Sequence, residues 1–291
     1  MFKGSIPALV TPFSQGKVDF EAFDALVNRQ IEAGSGALVP CGTTGESATL
    51  SHEEHRAVVE RCVKVTAGRV PIIAGCGSNS TNEAIELVRF AKSVGADAAL
   101  TVCPYYNKPD QRGLKAHFEA IANAVELPLF LYNVPSRTSS DIQPETVAEL
   151  SRHPNIIGIK DATGDMSRVT RHKDMCADDF ILISGDDPSA VGFNAMGGHG
   201  CISVSANVAP KLMADIQKAS LAGDLKTALD LEAKAYRLHR ALFLSPSPGP
   251  TKYALSLLGL CSPDIRLPLL GPESDVKAEI ETAMRFAEVL S

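Results

Sequence analysis

The sequence contains no run of basic residues, no Cys-x-x-Cys pair and no apolar stretch of membrane-spanning length. Without a basic run, and with a net charge of -6 and a pI near 5.7, it presents no electrostatic footprint for nucleic acid or an anionic membrane. An anionic substrate would have to be held by a few local cations. The seven cysteines (Cys41, Cys62, Cys76, Cys103, Cys176, Cys201 and Cys261) are odd in number and scattered. They suit reduced thiols in a cytoplasm, each most simply a small buried hydrophobe, although a catalytic cysteine is an alternative. The N-terminal residues reach Pro7 and then Pro12 before a signal-length apolar segment can form, so no targeting segment is expected. What is present, 291 residues with 45% hydrophobic content, is enough for one large globular core.

Short apolar runs alternate with amphipathic stretches. Eight candidate strands are read at 5–10, 36–40, 70–74, 98–103, 128–132, 156–160, 180–184 and 200–204. Helical patterns at 19–33, 51–67, 82–94, 113–125 and 144–151 lie between them, several opened by Ser, Thr or Asp caps. Continuous apolar strands of this kind are buried on both faces, which calls for a parallel sheet. Eight β/α units in some 220 residues predict an α/β fold of the TIM (β/α)8 barrel type, with a doubly wound sheet as the alternative. The catalytic barrel is placed at 1–222. Residues 223–291 are read as a helical appendage, being too few to stand comfortably as an independent domain.

In a barrel the chemistry collects at the carboxyl ends of the strands. Lys160 closes the apolar run from Asn155, and a lysine there has two readings. It could snorkel and cap the strand, or it could be partly buried, so that the charged form is disfavoured and a free amine can condense with a carbonyl. Other strand ends carry Gly42-Thr43-Thr44-Gly45-Glu46, Tyr105-Tyr106-Asn107, Tyr132 through Arg137, and Gly185-Asp186-Asp187, so three of the five tyrosines fall on one rim. The Gly-Thr-Thr-Gly turn could merely cap the next helix, or it could offer amides and hydroxyls to a small carboxylate. Tyr132 could pack its ring beneath the barrel mouth or serve Lys160 as a proton donor. Arg137, after Pro135, has the fork geometry that binds carboxylates. Gly75-Cys76-Gly77 only imitates a dinucleotide fingerprint, the third glycine being absent. His52 and His55 share a helix face, but without a third ligand they define no zinc site.

Together, Gly-Thr-Thr-Gly-Glu at 42–46, Tyr-Tyr-Asn at 105–107, Tyr-Asn-Val-Pro-Ser-Arg-Thr at 132–138 and Gly-Ile-Lys-Asp-Ala-Thr-Gly at 158–164 make the sequence resemble the dihydrodipicolinate synthase family. The likeness runs from Gly4 to about Pro268. It implies a TIM barrel with a C-terminal helical segment, assembled as a homotetramer of tight dimers, that condenses pyruvate with L-aspartate 4-semialdehyde without metal or other cofactor. By that resemblance Lys160 forms the Schiff base, and Tyr132, Thr43 and Tyr106 form a proton relay in which Tyr106 crosses from the partner chain. Thr44 would hold the pyruvate carboxylate and Arg137 the semialdehyde carboxylate, while Gly185 and Ile202 line the pocket. Ser47, Ala48, His52, His55, Asn79, Glu83 and Tyr105 match the set that binds L-lysine as a feedback inhibitor. Departures are few: Asp161 stands where most relatives have Glu, and Ser247, Gly249 and Thr251 vary a proline-rich segment in which Pro246, Pro248, Pro250 and Lys252 fit.

Two rival readings accompany this one. Another pyruvate-dependent class I aldolase, such as an N-acetylneuraminate lyase or a keto-deoxy sugar acid aldolase, would share the lysine and tyrosine but not the full set with Arg137. A catalytically silent lysine-binding regulator on the same scaffold is disfavoured by the intact catalytic positions.

Overall fold

The computed structural model describes residues 2–290. Seven parallel strands run side by side in the order Gly4–Pro7, Gly200–Ser203, Ile181–Ser184, Ile156–Asp161, Leu129–Asn133, Ala98–Val102 and Ile73–Gly75. The eighth predicted strand, at 36–40, is an extended segment that makes only two isolated parallel bridges, Ala8 with Val39 and Leu38 with Ile72. It nevertheless closes the ring. Val39 donates to Pro7 O at 3.0 Å on one side, and Ile73 donates to Leu38 O at 2.9 Å on the other. Prolines 7, 40 and 71 lack the N–H a regular ladder would use, which accounts for the broken pairing.

Period-two alternation sorts the side chains into two cores. Ile6, Val39, Ile73, Leu100, Phe130, Tyr132, Ile183 and Ile202 fill the barrel interior. Leu38, Ile72, Ala99, Leu129, Leu131 and Ile159 face outward and pack beneath the helices. The predicted helices are found at Phe20–Glu32, His52–Thr66, Thr81–Ser93, Gln111–Ala124 and Pro144–Leu150. Asp19 caps the first through Ala22 N–H, and Ser51 and Glu54 form a capping box on the second. A short hairpin, Phe13–Ser14 with Lys17–Val18, was not anticipated. Its turn puts Gln15 and Gly16 at φ 51° and 78°, the left-handed pair that a tight two-residue loop requires.

After the last strand, helix Pro210–Leu221 returns to pack on Gly4–Pro7, and Leu225–Ala241, Gly249–Leu257 and Ser274–Phe286 follow. These three share an apolar cluster of Leu238, Leu242, Ala254, Ile280 and Met284 that also takes in Val208 and Ala209 at the barrel's edge. No helix among the described residues is long and apolar enough to cross a membrane.

Candidate active site

Lys160 and Tyr132 are aligned across neighbouring strands, and both side chains point into the barrel mouth. The lysine is 6% exposed and the tyrosine 7%, and Lys160 Nζ lies 4.1 Å from the Tyr132 ring centroid. This removes the snorkelling alternative, since a snorkelling lysine keeps its head in water. The neighbouring strand end leaves room for the lysine only because residue 185 is glycine: a Cβ there would sit 2.9 Å from Lys160 Cε and 2.7 Å from Ala162 Cβ. Ile202, 1% exposed, belongs to the same interior cluster as Tyr132. Asp161 alternates away from the lysine. Its Oδ1 accepts the Thr163 amide at 2.8 Å and the Thr163 hydroxyl at 2.6 Å, and burial pushes its carboxyl above the usual range.

The Gly-Thr-Thr-Gly motif folds as a 3-10 turn, Thr43–Gly45. It is bracketed by Cys41 and Glu46, both in the left-handed region at φ 55° and 56°, a conformation that costs a non-glycine residue about 1–3 kcal/mol. Gly45 and Glu46 N–H are used within the turn, bonding to Gly42 O and Thr43 O. The sequence reading left both roles open for this segment; the turn precedes helix His52–Thr66 by six residues and does not cap it, because Ser51 does. Gly75 serves the same region by close approach rather than as part of a nucleotide fingerprint, since a Cβ on it would fall 2.2 Å from Cys41 O.

A cavity of about 560 Å³ opens from this rim. Thr43, Tyr132 and Arg137 line it together with Ser47, Ala48, His52, His55, Glu83 and Tyr105. Residues assigned by resemblance to substrate and to effector therefore face one continuous space within a single chain. Lys160, Thr44, Gly185 and Ile202 are not on its wall: Lys160 is buried against Tyr132, with Gly185 packed on its side chain, and Thr44 and Ile202 are buried. Arg137 is exposed on the short helix Pro135–Thr138 at the mouth. Tyr106 stands apart: it is 89% exposed, at φ 71°, and reaches no part of its own chain's cavity.

Among the residues that resemblance matches to a lysine-binding set, His52 Nε2 lies 3.3 Å from Glu83 Oε1, and Ser78 Oγ donates to the same carboxylate. The buried His55 ring bonds through Nε2 to Gly75 O at 2.8 Å, and burial lowers its pKa. Asn79 does not line the cavity but holds the tyrosine loop, its Nδ2 donating to Tyr105 O at 3.2 Å while Asn107 Nδ2 donates to Asn79 O at 2.9 Å. Five of the cysteines are buried, and Cys41, on the cavity wall, has its thiol pushed well up by burial, so none resembles an activated nucleophile on this rim.

The sequence reading missed part of the wall. Glu46, Ser247, Pro268 and Leu269 also line the cavity, the last three contributed by the C-terminal segment more than 200 positions from the turn. Glu46 offered the one available signal, an acidic residue in a rim motif that would need a cation if buried.

A barrel whose mouth holds a buried lysine against a tyrosine, with threonine hydroxyls and an arginine nearby, defines a class of enzymes built for amine attack on a carbonyl compound that carries a carboxylate. Residues 1–287 match the model of the dihydrodipicolinate synthetase family, and the chain belongs to that family. It is 63% identical over 289 residues to a 4-hydroxy-tetrahydrodipicolinate synthase of Hyphomonas neptunium, covering 99% of each chain. Among solved structures it is similar to the chloride-inhibited dihydrodipicolinate synthase of Acinetobacter baumannii complexed with pyruvate, with a TM-score of 0.98, 46% identity and full coverage of both chains. It is likewise similar to the enzyme of Cyanidioschyzon merolae with lysine bound, with a TM-score of 0.96, 38% identity and 99% of each chain covered.

Proposed function

We propose that this protein is a 4-hydroxy-tetrahydrodipicolinate synthase, condensing pyruvate with L-aspartate 4-semialdehyde on the route to diaminopimelate and lysine. The observation that carries the reading is the buried Lys160 held against Tyr132 at the mouth of the barrel. The amine of Lys160 adds to the keto carbon of pyruvate and water leaves, giving an imine. Protonated, that imine is an electron sink, so a methyl proton departs and the enamine attacks the aldehyde carbon of the semialdehyde. Tyr132 and Thr43 pass protons for these steps, Thr44 holds the pyruvate carboxylate, and Arg137, exposed at the mouth, takes the semialdehyde carboxylate. Gly185 and Ile202 shape the floor. The imine itself supplies the electron sink, so the chemistry calls for no metal or other cofactor.

Tyr106 supports an assembled enzyme. What supports this is a large aromatic side chain almost fully in solvent, in left-handed backbone on a loop beside the cavity; in this reading it enters the site of a second chain and completes its relay. We assign the assembly as a homotetramer built from such dimers, with 1–222 as the catalytic barrel and 223–291 as its helical appendage. L-Lysine is the effector. Its amino groups suit Glu83, with Ser47, Ala48, His52, His55 and Tyr105 around it, and Asn79 contributes by holding the Tyr105 loop. The free thiols of all seven cysteines fit a reducing cytoplasm.

Turnover separates this from its rivals. Purified protein given pyruvate and aspartate semialdehyde forms product, whereas it leaves sialic acid and keto-deoxygluconate uncleaved; the opposite preference would replace the reading with another aldolase.

A further inference from the structure

Glu46 follows the Thr43–Gly45 turn directly, and its side chain is only 2% exposed. Its Oε1 lies 2.5 Å from Nζ of the wholly buried Lys252, on helix Gly249–Leu257. Its Oε2 accepts the backbone N–H of Arg266 at 3.0 Å. Lys252 Nζ also donates to Asp264 O at 2.8 Å and lies 3.9 Å from the centroid of the buried Phe13 ring. The Arg266 guanidinium lies 4.2 Å from that same centroid, donates to both Glu54 oxygens at 2.6 and 2.7 Å, and reaches Thr49 O at 3.0 Å. The turn meets the C-terminal segment at the Glu46 carboxylate, while the hairpin and the capped helix join the same cluster through Phe13 and Glu54, which contact Lys252 and Arg266.

A buried ion pair adds little net stability compared with well-packed apolar groups, but neither partner can be left alone, so it fixes where its residues sit. Here the fixed residue is the end of the turn that carries Thr43 and Thr44. The other side of the turn is equally constrained. Thr11 Oγ1 donates to Gly45 O at 2.7 Å, and a Cβ on Gly45 would come within 3.0 Å of Leu9 O. Thr43 and Glu46 line the same cavity as Tyr132, so a shift of the carboxylate is a shift of the wall facing the tyrosine.

We propose that Glu46, Lys252 and Arg266 are positioning residues for the reaction: through this buried charge cluster the C-terminal segment holds the Thr43–Thr44 turn in register with Tyr132 and Lys160. The inference rests on the function proposed above.

A double-mutant cycle tests it. Lys252→Met and Glu46→Gln should each lower kcat by about 10- to 100-fold, the scale of a misplacement of about 1 Å. Combined with Thr43→Val, each should lower kcat by clearly less than the product of the two separate losses, because one of the two hydroxyls they position is already gone. Borohydride trapping of pyruvate on Lys160 should persist in all of them at saturating pyruvate. Losses that multiply with that of Thr43→Val, or a kcat within about twofold of the parent in a folded variant, would overturn the proposal. If Lys252→Met fails to fold, Glu46→Gln, which keeps the acceptor for Arg266 N–H, and Arg266→Gln carry the same cycle. Trapping on the unaltered protein keeps the two claims apart: no adduct there defeats the proposed function, whereas an adduct with multiplicative losses defeats only the positioning role.

Discussion

Lys160 Nζ rests 4.1 Å from the centre of the Tyr132 ring, and the two residues are register partners across two parallel strands. Two consequences follow from so small a geometric fact. The amine is largely shielded from bulk water, and the tyrosine ring cannot be removed without altering the space beside it.

Tyr132→Phe separates these roles. It keeps the ring that packs with Ile183 and Ile202 in the barrel interior and removes only the hydroxyl. Turnover should fall about 10²- to 10⁴-fold, the usual contribution of a positioned proton donor, with little change in melting temperature. Steady-state kinetics beside a thermal melt checks this; near-parental kcat would remove Tyr132 from the relay.

Gly185→Ala tests how tightly the lysine is housed. The new methyl would meet Ala162 Cβ at 2.7 Å and Lys160 Cε at 2.9 Å, contacts that only movement can relieve. Overpacking should cost about 1–3 kcal/mol of stability, and displacement of the amine about 10²-fold in kcat. Calorimetry and kinetics on the same preparation would reveal both, and parental turnover would contradict the housing described.

L-Lysine should inhibit the enzyme, and Glu83→Ala should relieve the inhibition, because Glu83 lines the cavity beside His52 and is the carboxylate proposed to take the effector's amino group. Reciprocity requires that lysine bind with altered affinity when pyruvate is present, which titration calorimetry can measure. Turnover unchanged in millimolar lysine would end the effector assignment.

Acid should destabilise the fold through its buried histidines. Burial pushes His117 and His172 down to about 4, against about 6.5 in an unfolded chain, and shifts His55 in the same direction. Between those values the folded residues stay neutral while the unfolded ones take up protons. Their neutral burial is therefore without penalty above about pH 6.5, and stability is lost as the pH falls towards about 4, by up to about 3 kcal/mol for each of His117 and His172. His239 works in the opposite sense: although buried, it is shifted upward by Glu232 and nearby aspartates. Melting temperatures followed from about pH 7 to about pH 4.5 should decline, and a flat profile would show that the histidines are solvated.

Much of the barrel was legible because its strands obey period two and its helices carry caps at the expected places, as Asp19 and Ser51 do. The apolar run at 36–40 predicts a strand, but Pro40 within it and Pro7 and Pro71 on its neighbours limit it to two bridges, and only the last two depend on which segments pair with it. The positions of the candidate site residues were legible from their motifs, since Lys160, Tyr132 and the Thr43 turn all sit at strand ends. Hidden from the sequence was the company they keep. Lys252 and Arg266 lie more than 200 positions from Glu46, and no local pattern announces a buried pair that only folding brings together. The role proposed for Tyr106 rests on family resemblance; the structure adds its exposure.

The central claim, that Lys160 is the amine that captures pyruvate, is tested most directly by borohydride reduction in the presence of pyruvate, followed by peptide mass mapping. The account predicts a single reduced pyruvate adduct on the peptide containing Lys160, abolished by Lys160→Ala. An adduct on a different lysine, or none at all in protein that turns over both substrates, would contradict it.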